Sequence, residues 1–374
     1  MLVLVMGHRL PLARTLERLK IPYIVWSEKP LKNKLCSEQI IVSSFPEQKE
    51  DVYDKVSEYS EITHVIASVE KAVIPASNIR LWFKLKRNPH NLILKCTDKL
   101  KMKTYLLEKN IPMTKFSSSR KISSEEAIER LGFPIVSKPK LSSGGRGISF
   151  LRSREEVELA KTSSCYYEEF IEGTEGSVES FIVDNEIVFS NITEYYKNGL
   201  CNKVPGRYSD ELNAKIRELN RSVVKALNIK WGMTHLEYYI TDSGLYFGEI
   251  ALRPPGGYIM EIISKSYNID AWETFILVEL GLYASNKVQL ESYGSSLLIH
   301  PEKGTVASIE GVEDIKKLES LDHFKLNLKV GDVIGKRQGV GENFGYAFFS
   351  NSSAKKLDQD IKRFYELFKI NLNK

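Results

Sequence analysis

The stretch PIVSKPKLSSGGRGISF, Pro134 to Phe150, limits the fold most sharply. A β-branched run leads into Lys138. A loop of small residues then carries Gly144, Gly145 and Gly147, and a second apolar run follows. In a P-loop the lysine comes after the glycines and a helix continues the chain. Here the lysine comes first, and Ile148, Ser149 and Phe150 read as a second strand. The order predicts a hairpin lid closing over phosphates, not a helix N-terminus beneath them.

Around this hairpin the chain alternates. LVLVM (2–6), YIVWS (23–27), QIIVSSF (39–45) and THVIASV (63–69) read as short strands, with helical spacing in PLARTLERLK and a charged helical stretch at 50–59. Such alternation argues for a parallel α/β layer. Gly7 reads as a tight turn, because GHRLP is not the dinucleotide fingerprint and a nicotinamide-binding reading lacks support. Helices are expected at 98–110, with Thr97 or Asp98 as N-cap, and near 124–131, 153–161, 208–229 and 268–282. MTHLEYYIT and GLYFGEIAL (233–252) form a hairpin turning at Asp242-Ser243-Gly244. The tail pairs two glycine-punctuated strands in 331–349 and ends in a helix near 353–367.

Composition excludes several classes. The 374 residues are 42% hydrophobic and 27% charged, which fits two or three globular domains. The net charge of +5 is spread among acidic residues, so nucleic acid is not implied. Cys36, Cys96, Cys165 and Cys201 lack metal-site spacing and read as reduced thiols of a cytoplasmic protein. No run approaches a membrane span, and the N-terminus lacks the pattern of a signal peptide.

Three sets of residues carry chemistry. On the 233–252 hairpin, His235, Glu237 and Tyr239 share one strand face, and Phe247, Glu249 and Ala251 share the facing one. Two glutamates opposed across adjacent strands repel unless a cation lies between them, and Mg²⁺ uses such carboxylates together with substrate phosphates. In YYEEFIEG (166–173), Glu168, Glu169, Phe170 and Ile171 offer an apolar slot with backbone groups at its edge, and Glu175 lies within reach of ribose hydroxyls. Lys99 and Lys138 each follow a structural boundary and offer point charges to a triphosphate. Taken singly, the lysines and the 166–173 glutamates read more readily as solvated surface, whereas glutamates set in apolar strands beside Arg253-Pro254-Pro255-Gly256-Gly257 favour the metal over a solvated hairpin.

The ordered set resembles the ATP-grasp superfamily of carboxylate–amine and carboxylate–thiol ligases. That set is Asp98-Lys99, Lys138 before SSGGRG, EEFIEG, then Glu237 and Glu249 across a hairpin, followed by Arg253-Pro254-Pro255-Gly256-Gly257. It is most similar to the amino-acid (dipeptide) ligase branch and more distantly to biotin carboxylase. The resemblance implies an α/β fold, α+β in part. A Rossmann-like pre-ATP-grasp domain (1–95) would be followed by a small lobe with the glycine lid (96–185). A large lobe with the metal site (186–290) and a β-rich C-terminal segment (291–374) complete it. It implies ATP with Mg²⁺, or Mn²⁺ in its place. Lys99 and Lys138 would hold the α- and β-phosphates. Ser142, Ser143, Gly144, Gly145 and Gly147 would cover the β- and γ-phosphates. Glu168 would accept from the adenine amino group, the backbone of Glu169 and Ile171 would meet the base edge, and Glu175 would bind ribose. Glu237 and Glu249 would ligate the metal, and Arg253 would stabilise the transferring phosphoryl group and the acyl phosphate.

Catalytic roles are expected for Arg253, Lys138 and His235. His235 would orient a substrate carboxylate or help deprotonate the amine; a histidine packed in the hairpin is the alternative. Arg207, Tyr258 and Glu261 are the candidate specificity positions. The family commonly carries asparagine two residues after the second metal glutamate, and here that position is Ala251, which leaves a second metal ion in question. The expected activity is ATP-dependent ligation of a carboxylate to an amine. Loading an amino acid onto an acyl carrier protein thiol, carboxylation through carboxyphosphate, and a non-catalytic nucleotide-binding module remain as alternatives. A homodimer is compatible with the resemblance; a nucleic-acid or membrane partner is not expected.

Overall fold

The computed structural model describes all residues except 32–37, 42–44, 46–55, 57–58, 60–61, 86, 198, 340 and 374, and the side chains of 38–41. Cys36 and most of the expected 50–59 helix lie outside the described residues. Cys96, Cys165 and Cys201 are free thiols. Among the described residues no helix is long and apolar enough to cross a membrane.

The N-terminal layer is a parallel sheet in the order β3-β2-β1-β4, formed by β1 (Leu2–Met6), β2 (Tyr23–Ser27), β3 (Glu38–Ile41) and β4 (Ile62–Ala67). β1 and β2 are apolar along nearly their whole length because helices cover both faces. The helix Leu10–Arg18 crosses to the helix Ala271–Leu280, and Arg18 pairs with Asp270 at 2.6 Å and Glu273 at 2.7 Å. Val3, Val5, Leu12 and Leu16 enter one core with Phe181, Met233, Ile259, Trp272 and Phe275. The N-terminal layer is thus packed against the large sheet through a continuous apolar core, which fixes its position relative to the site.

The small antiparallel sheet has the order β5-β8-β6-β7, with β5 (Phe116–Ser118), β6 (Ile135–Pro139), β7 (Ser149–Leu151) and β8 (Cys165–Glu169). β6 and β7 pair as the expected hairpin around the glycine loop. One face packs on the helices Ser124–Leu131 and Arg154–Leu159, whose N-caps Ser123 and Ser153 accept from Glu126 N and Glu156 N. The other face presents Val136, Lys138, Tyr166 and Glu168, brought together by the β6–β8 register.

The large sheet runs β13-β12-β9-β10-β11-β14-β18-β16. Its strands are β9 (Thr174–Val183), β10 (Glu186–Lys197), β11 (Cys201–Val204), β12 (Gly232–Thr241), β13 (Gly244–Ala251), β14 (Tyr293–Ile299), β16 (Leu321–Leu326) and β18 (Gly345–Asn351). The expected division at residue 185 falls inside the β9–β10 hairpin, and the one at 290 is crossed by β11–β14 pairing. β9, β10, β11 and β14 thus belong to one continuous sheet. One face of this sheet packs on the helices Lys99–Leu107 and Asp210–Leu227 through Leu236, Tyr238, Phe247 and Ile250. β15 (Gly304–Glu310), β17 (Val333–Ile334) and β19 (Lys369–Asn373) form a separate three-stranded sheet.

Several sequence expectations change here. The two strands of 331–349 are not partners: β17 pairs with β15, whereas β18 lies between β14 and β16. The chain ends in β19, after the helix Ala354–Leu367. Phe247 leaves the face of Glu249. Glu237 pairs with Glu249 but Tyr238 pairs with Phe247, so Gly248 is an extra residue, a bulge. One inserted residue reverses the facing of every residue beyond it. Phe247 is fully buried in the helix-facing core, and Tyr246 comes opposite Tyr239. A Cβ at Gly248 would lie 2.9 Å from the Glu237 carbonyl oxygen, so glycine is what allows the strands this approach.

Candidate active site

The site lies where the small sheet faces β9, β12 and β13. Asp98 caps the helix Lys99–Leu107 by accepting from Lys101 N, which places Lys99 at the first turn. Lys99 Nζ reaches Glu249 at 3.1 Å and donates to the Ser142 carbonyl at 2.6 Å, tying the root of the glycine loop to the hairpin glutamates. Gly144, Gly145 and Gly147 all have positive φ, the left-handed backbone that glycine adopts freely.

Glu237 and Glu249 sit directly across the β12–β13 pair. His235 Nε2 is 3.4 Å from Glu237 Oε1, and the Tyr195 hydroxyl donates to the same oxygen at 3.4 Å. Burial pushes the Glu249 carboxyl up, and the neighbouring charges of Glu237 and Glu70 add to this against the opposing Lys99. Glu237 is held below the usual carboxylate range: burial opposes its charge, but His235, Lys99 and Arg253 outweigh it. Glu175, opposite Tyr239 across β9–β12, is pushed up to about 7 by burial and by the charges of Glu237 and Glu249. Three carboxyls thus crowd one space with too few cations to neutralise them. That donor set suits a hard divalent cation with carboxylate and phosphate oxygens. Among the described residues no group of three or more such ligand side chains could hold a metal ion by itself, so any metal here would draw ligands from substrate or water.

Beside this lies a buried ionic cluster. Glu168, 1% exposed, lies 2.6 Å from Lys103 Nζ and 2.6 Å from Lys138 Nζ. It also accepts from the hydroxyls of Thr114 and Tyr166. Burial alone would raise its pKa, but the two ammonium groups hold it far below the ordinary value. Lys103, equally buried, is pushed down by desolvation. The Glu168 oxygens therefore face two lysines in this structure, where the sequence suggested a base amino group. Glu169 accepts from Lys115 N at 2.7 Å, and its own N–H donates to the Lys115 carbonyl at 3.0 Å. Ile171 lies in the connection between β8 and β9, beside Phe170, whose ring stands 5.9 Å from Phe150 in an edge-to-face contact.

His235 is buried between two carboxylates. Its Nδ1 lies 2.8 Å from Glu179 Oε1, and its pKa is raised to about 9 because the Glu179 and Glu237 hydrogen bonds outweigh burial. Glu179 is itself fully buried and accepts from Ser177, Asn191 and Thr193.

On the far side Arg253 Nε donates to Glu70 at 2.7 Å, so the N-terminal layer holds this arginine. Arg9 donates to the carbonyls of Pro254 and Pro255, and its guanidinium lies 5.7 Å from the Trp272 ring. A cavity of about 420 Å³ lies at the carboxyl ends of β1, β2 and β4, lined by Gly7, His8, Ser27, Lys29, Phe45 and Val69. Two of these residues, His8 and Val69, directly precede Arg9 and Glu70.

The structure thus brings Lys99, Lys138, Glu168, Glu175, His235, Glu237 and Glu249 together, with Ser142 at the rim and Arg253 on the N-terminal side. Arg207 does not join them. It pairs with Asp358 of the C-terminal helix at 2.5 Å and donates to the Ala354 carbonyl, so it braces two elements. Tyr258 packs against Tyr346, with ring centroids 4.5 Å apart, and Glu261 accepts from Trp272 Nε1 at 3.2 Å. Sequence reasoning missed Lys103, Arg9 and Glu70. The signal for Lys103 was a lysine between Met102 and Leu106 on a buried helix face; Arg9 and Glu70 had no local signal.

Residues 104–266 match the family model described as the ATP-grasp domain. The chain is 29% identical over 308 residues to the L-arginine-specific L-amino acid ligase of Bacillus subtilis, covering 76% of this chain and 74% of that protein. The L-amino acid ligase from Bacillus licheniformis superposes with a TM-score of 0.84 at 16% identity, covering 100% of this chain and 99% of that one. The N5-carboxyaminoimidazole ribonucleotide synthetase from Thermotoga maritima gives 0.78 at 20% identity, covering 100% and 99%. These superpositions establish a shared fold along the whole chain.

Proposed function

The chain carries an ATP-grasp domain, and from that premise we propose that it activates a carboxylate as an acyl phosphate and joins it to an amine, with an amino acid among its substrates. The observation that carries this reading is the opposed pair Glu237–Glu249, bridged to the glycine loop by Lys99. An L-arginine-specific L-amino acid ligase is among the relatives of this chain, as are formate-dependent phosphoribosylglycinamide formyltransferases.

The chemistry follows from charge. A carboxylate must meet the γ-phosphate of ATP, and both are anions. A divalent cation held by Glu237 and Glu249 would neutralise part of that repulsion and polarise the phosphoryl oxygens. Lys99 and Lys138, paired here with Glu249 and Glu168, would take the phosphates in exchange for those carboxylates. Arg253 would stabilise charge on the transferring group. The acyl phosphate must be shielded from water, and the loop Ser142–Gly147 is the covering element. His235 Nε2 faces the metal side, where it would orient a substrate carboxylate. Glu168 and the backbone of Glu169 and Ile171 would border the base, with Phe170 and Phe150 as its apolar rim, and Glu175 would bind ribose. Ala251, opposite His235 in the strand pair, supplies no ligand, so the site is read as built around one protein-held metal ion. The cavity beside Arg9 and Glu70 would take the variable part of a substrate.

The test is ADP and phosphate release with Mg-ATP against amino acids singly and in pairs, with mass spectrometry of the products. Release that requires a pair and yields a new amide mass supports the reading. Nucleotide binding without release for any pair would turn it toward a carrier-bound substrate or a non-catalytic module.

A further inference from the structure

The glycine loop is in contact with a second glycine-rich segment from the far end of the chain. A Cβ built at Gly339 would lie 3.2 Å from the Gly144 carbonyl oxygen and 3.2 Å from Arg146 Cγ. Gly339 does not have positive φ, so its glycine answers to space and not to backbone twist. The residues on either side of this point are braced. Arg337 Nη2 donates to the Gly199 carbonyl at 2.5 Å, at the β10–β11 turn. Gln338 N donates to Glu342 Oε2 at 2.6 Å, and Glu342 N donates to the Gly339 carbonyl at 3.1 Å. Asn343 Nδ2 donates to the Gly341 carbonyl at 3.1 Å. Arg146, the lid side chain in the contact, is itself turned back to Ser143 Oγ at 2.9 Å.

We propose that residues 335–339 are a strap that latches the glycine lid, touching it at Gly339 and held through Arg337 on the β10–β11 turn. The lid has little apolar surface of its own to hold it shut. A braced segment anchored on the large sheet supplies a fixed wall against which it closes. The strap's consequence for turnover rests on the ligase reading above. With the latch weakened, water reaches the acyl phosphate and attacks its carbonyl carbon. The bond from that carbon to the phosphate oxygen breaks, and carboxylate and phosphate leave without amide.

The test joins the two partners covalently. In the double variant Arg146→Cys with Gly339→Cys, mild oxidation should give a disulfide, mapped by tryptic mass spectrometry. A non-hydrolysable ATP analogue with Mg²⁺ should speed its formation at least about threefold by ordering the lid. Oxidation should cut product formation at least about tenfold and reduction should restore it. In Gly339→Val, which keeps an ordinary backbone but fills the contact, ADP released per amide formed should rise at least about threefold, with circular dichroism confirming the fold. The latch is overturned if no disulfide forms, if its formation ignores nucleotide, or if oxidised protein turns over unchanged. If no substrate pair yields an amide, the ligase reading fails on its own, while nucleotide-dependent crosslinking still decides the latch.

Discussion

Glu168→Gln should destabilise the protein by about 3–5 kcal/mol, and most of that loss should vanish when Lys103 is removed as well. Glu168 and Lys103 have side-chain exposures of 1% and 2%, so neither charge has water to fall back on. Replacing the carboxylate by an amide leaves the buried Lys103 ammonium without its counter-charge, facing neutral acceptors: the amide oxygen and Thr114 Oγ1 at 3.1 Å. Lys138, 17% exposed, can turn partly to solvent. Breaking a buried pair by removing one partner costs about 3–5 kcal/mol, whereas replacing both partners by neutral groups is often close to neutral. Lys103→Met with Glu168→Gln should therefore be more stable than Glu168→Gln alone, with a coupling of about 2 kcal/mol or more. Urea unfolding of the four proteins, followed by tryptophan fluorescence and circular dichroism at pH 8, gives the cycle. The sign with pH is also fixed. A carboxyl whose folded pKa is depressed contributes stability above its unfolded pKa and loses it as pH falls through the folded value. The gap between wild type and Glu168→Gln should thus narrow only in acid. A loss under about 1 kcal/mol with additive singles would mean that the cluster is solvated, refuting the reasoning.

Glu249→Gln should lower Mg-dependent turnover at least about 100-fold while leaving the unfolding midpoint no lower, because it removes a carboxylate already repelled by Glu237; ordinary turnover would overturn the metal assignment. Lys138→Ala should weaken ATP binding more than it slows chemistry, and unchanged affinity by nucleotide fluorescence titration would count against its phosphate role. In metal-free protein, Glu175 and His235 act in the same direction with pH. Glu175, raised to about 7, destabilises the fold once charged, and His235, raised to about 9, loses its stabilising charge as pH climbs through that value. Thermal stability without metal should therefore fall from pH 6 toward pH 9, and less steeply in Glu175→Gln; a rise would contradict the electrostatics.

How much of this was legible depends on the range of the signal. The pairing of Glu237 with Glu249 follows from two-residue alternation around a turn at Asp242-Ser243-Gly244, and it held because both lie on one side of the bulge. Phe247 and Tyr246 lie beyond Gly248, and a glycine in a strand does not announce whether it is a bulge or a close approach. The helix Val73–Trp82 was unreadable as a helix because it is apolar and carries Pro75 in its first turn, a position where proline is tolerated. Ile259–Ser266 hid behind the RPPGG run, with Tyr258 in the left-handed region as its N-cap. Arg207 reads as a loop arginine until Asp358 is brought beside it from 151 residues on. Arg9 and Glu70 likewise acquire meaning only once the N-terminal layer is docked.

The cations proposed to meet phosphate share one arrangement. Lys99 rests 3.1 Å from Glu249, Lys138 2.6 Å from Glu168, and Arg253 2.7 Å from Glu70. Each long side chain is therefore already oriented, so little conformational entropy remains to be lost when a triphosphate arrives. The same pairing resists any anion that comes alone, because taking Lys99 would leave Glu249 uncompensated beside Glu237. A divalent cation removes that obstacle by accepting the carboxylates as the phosphates accept the ammonium groups. Nucleotide and metal are then favoured as a pair over either separately. The requirement comes from the exchange of partners within the site and needs no movement of the sheets that carry them.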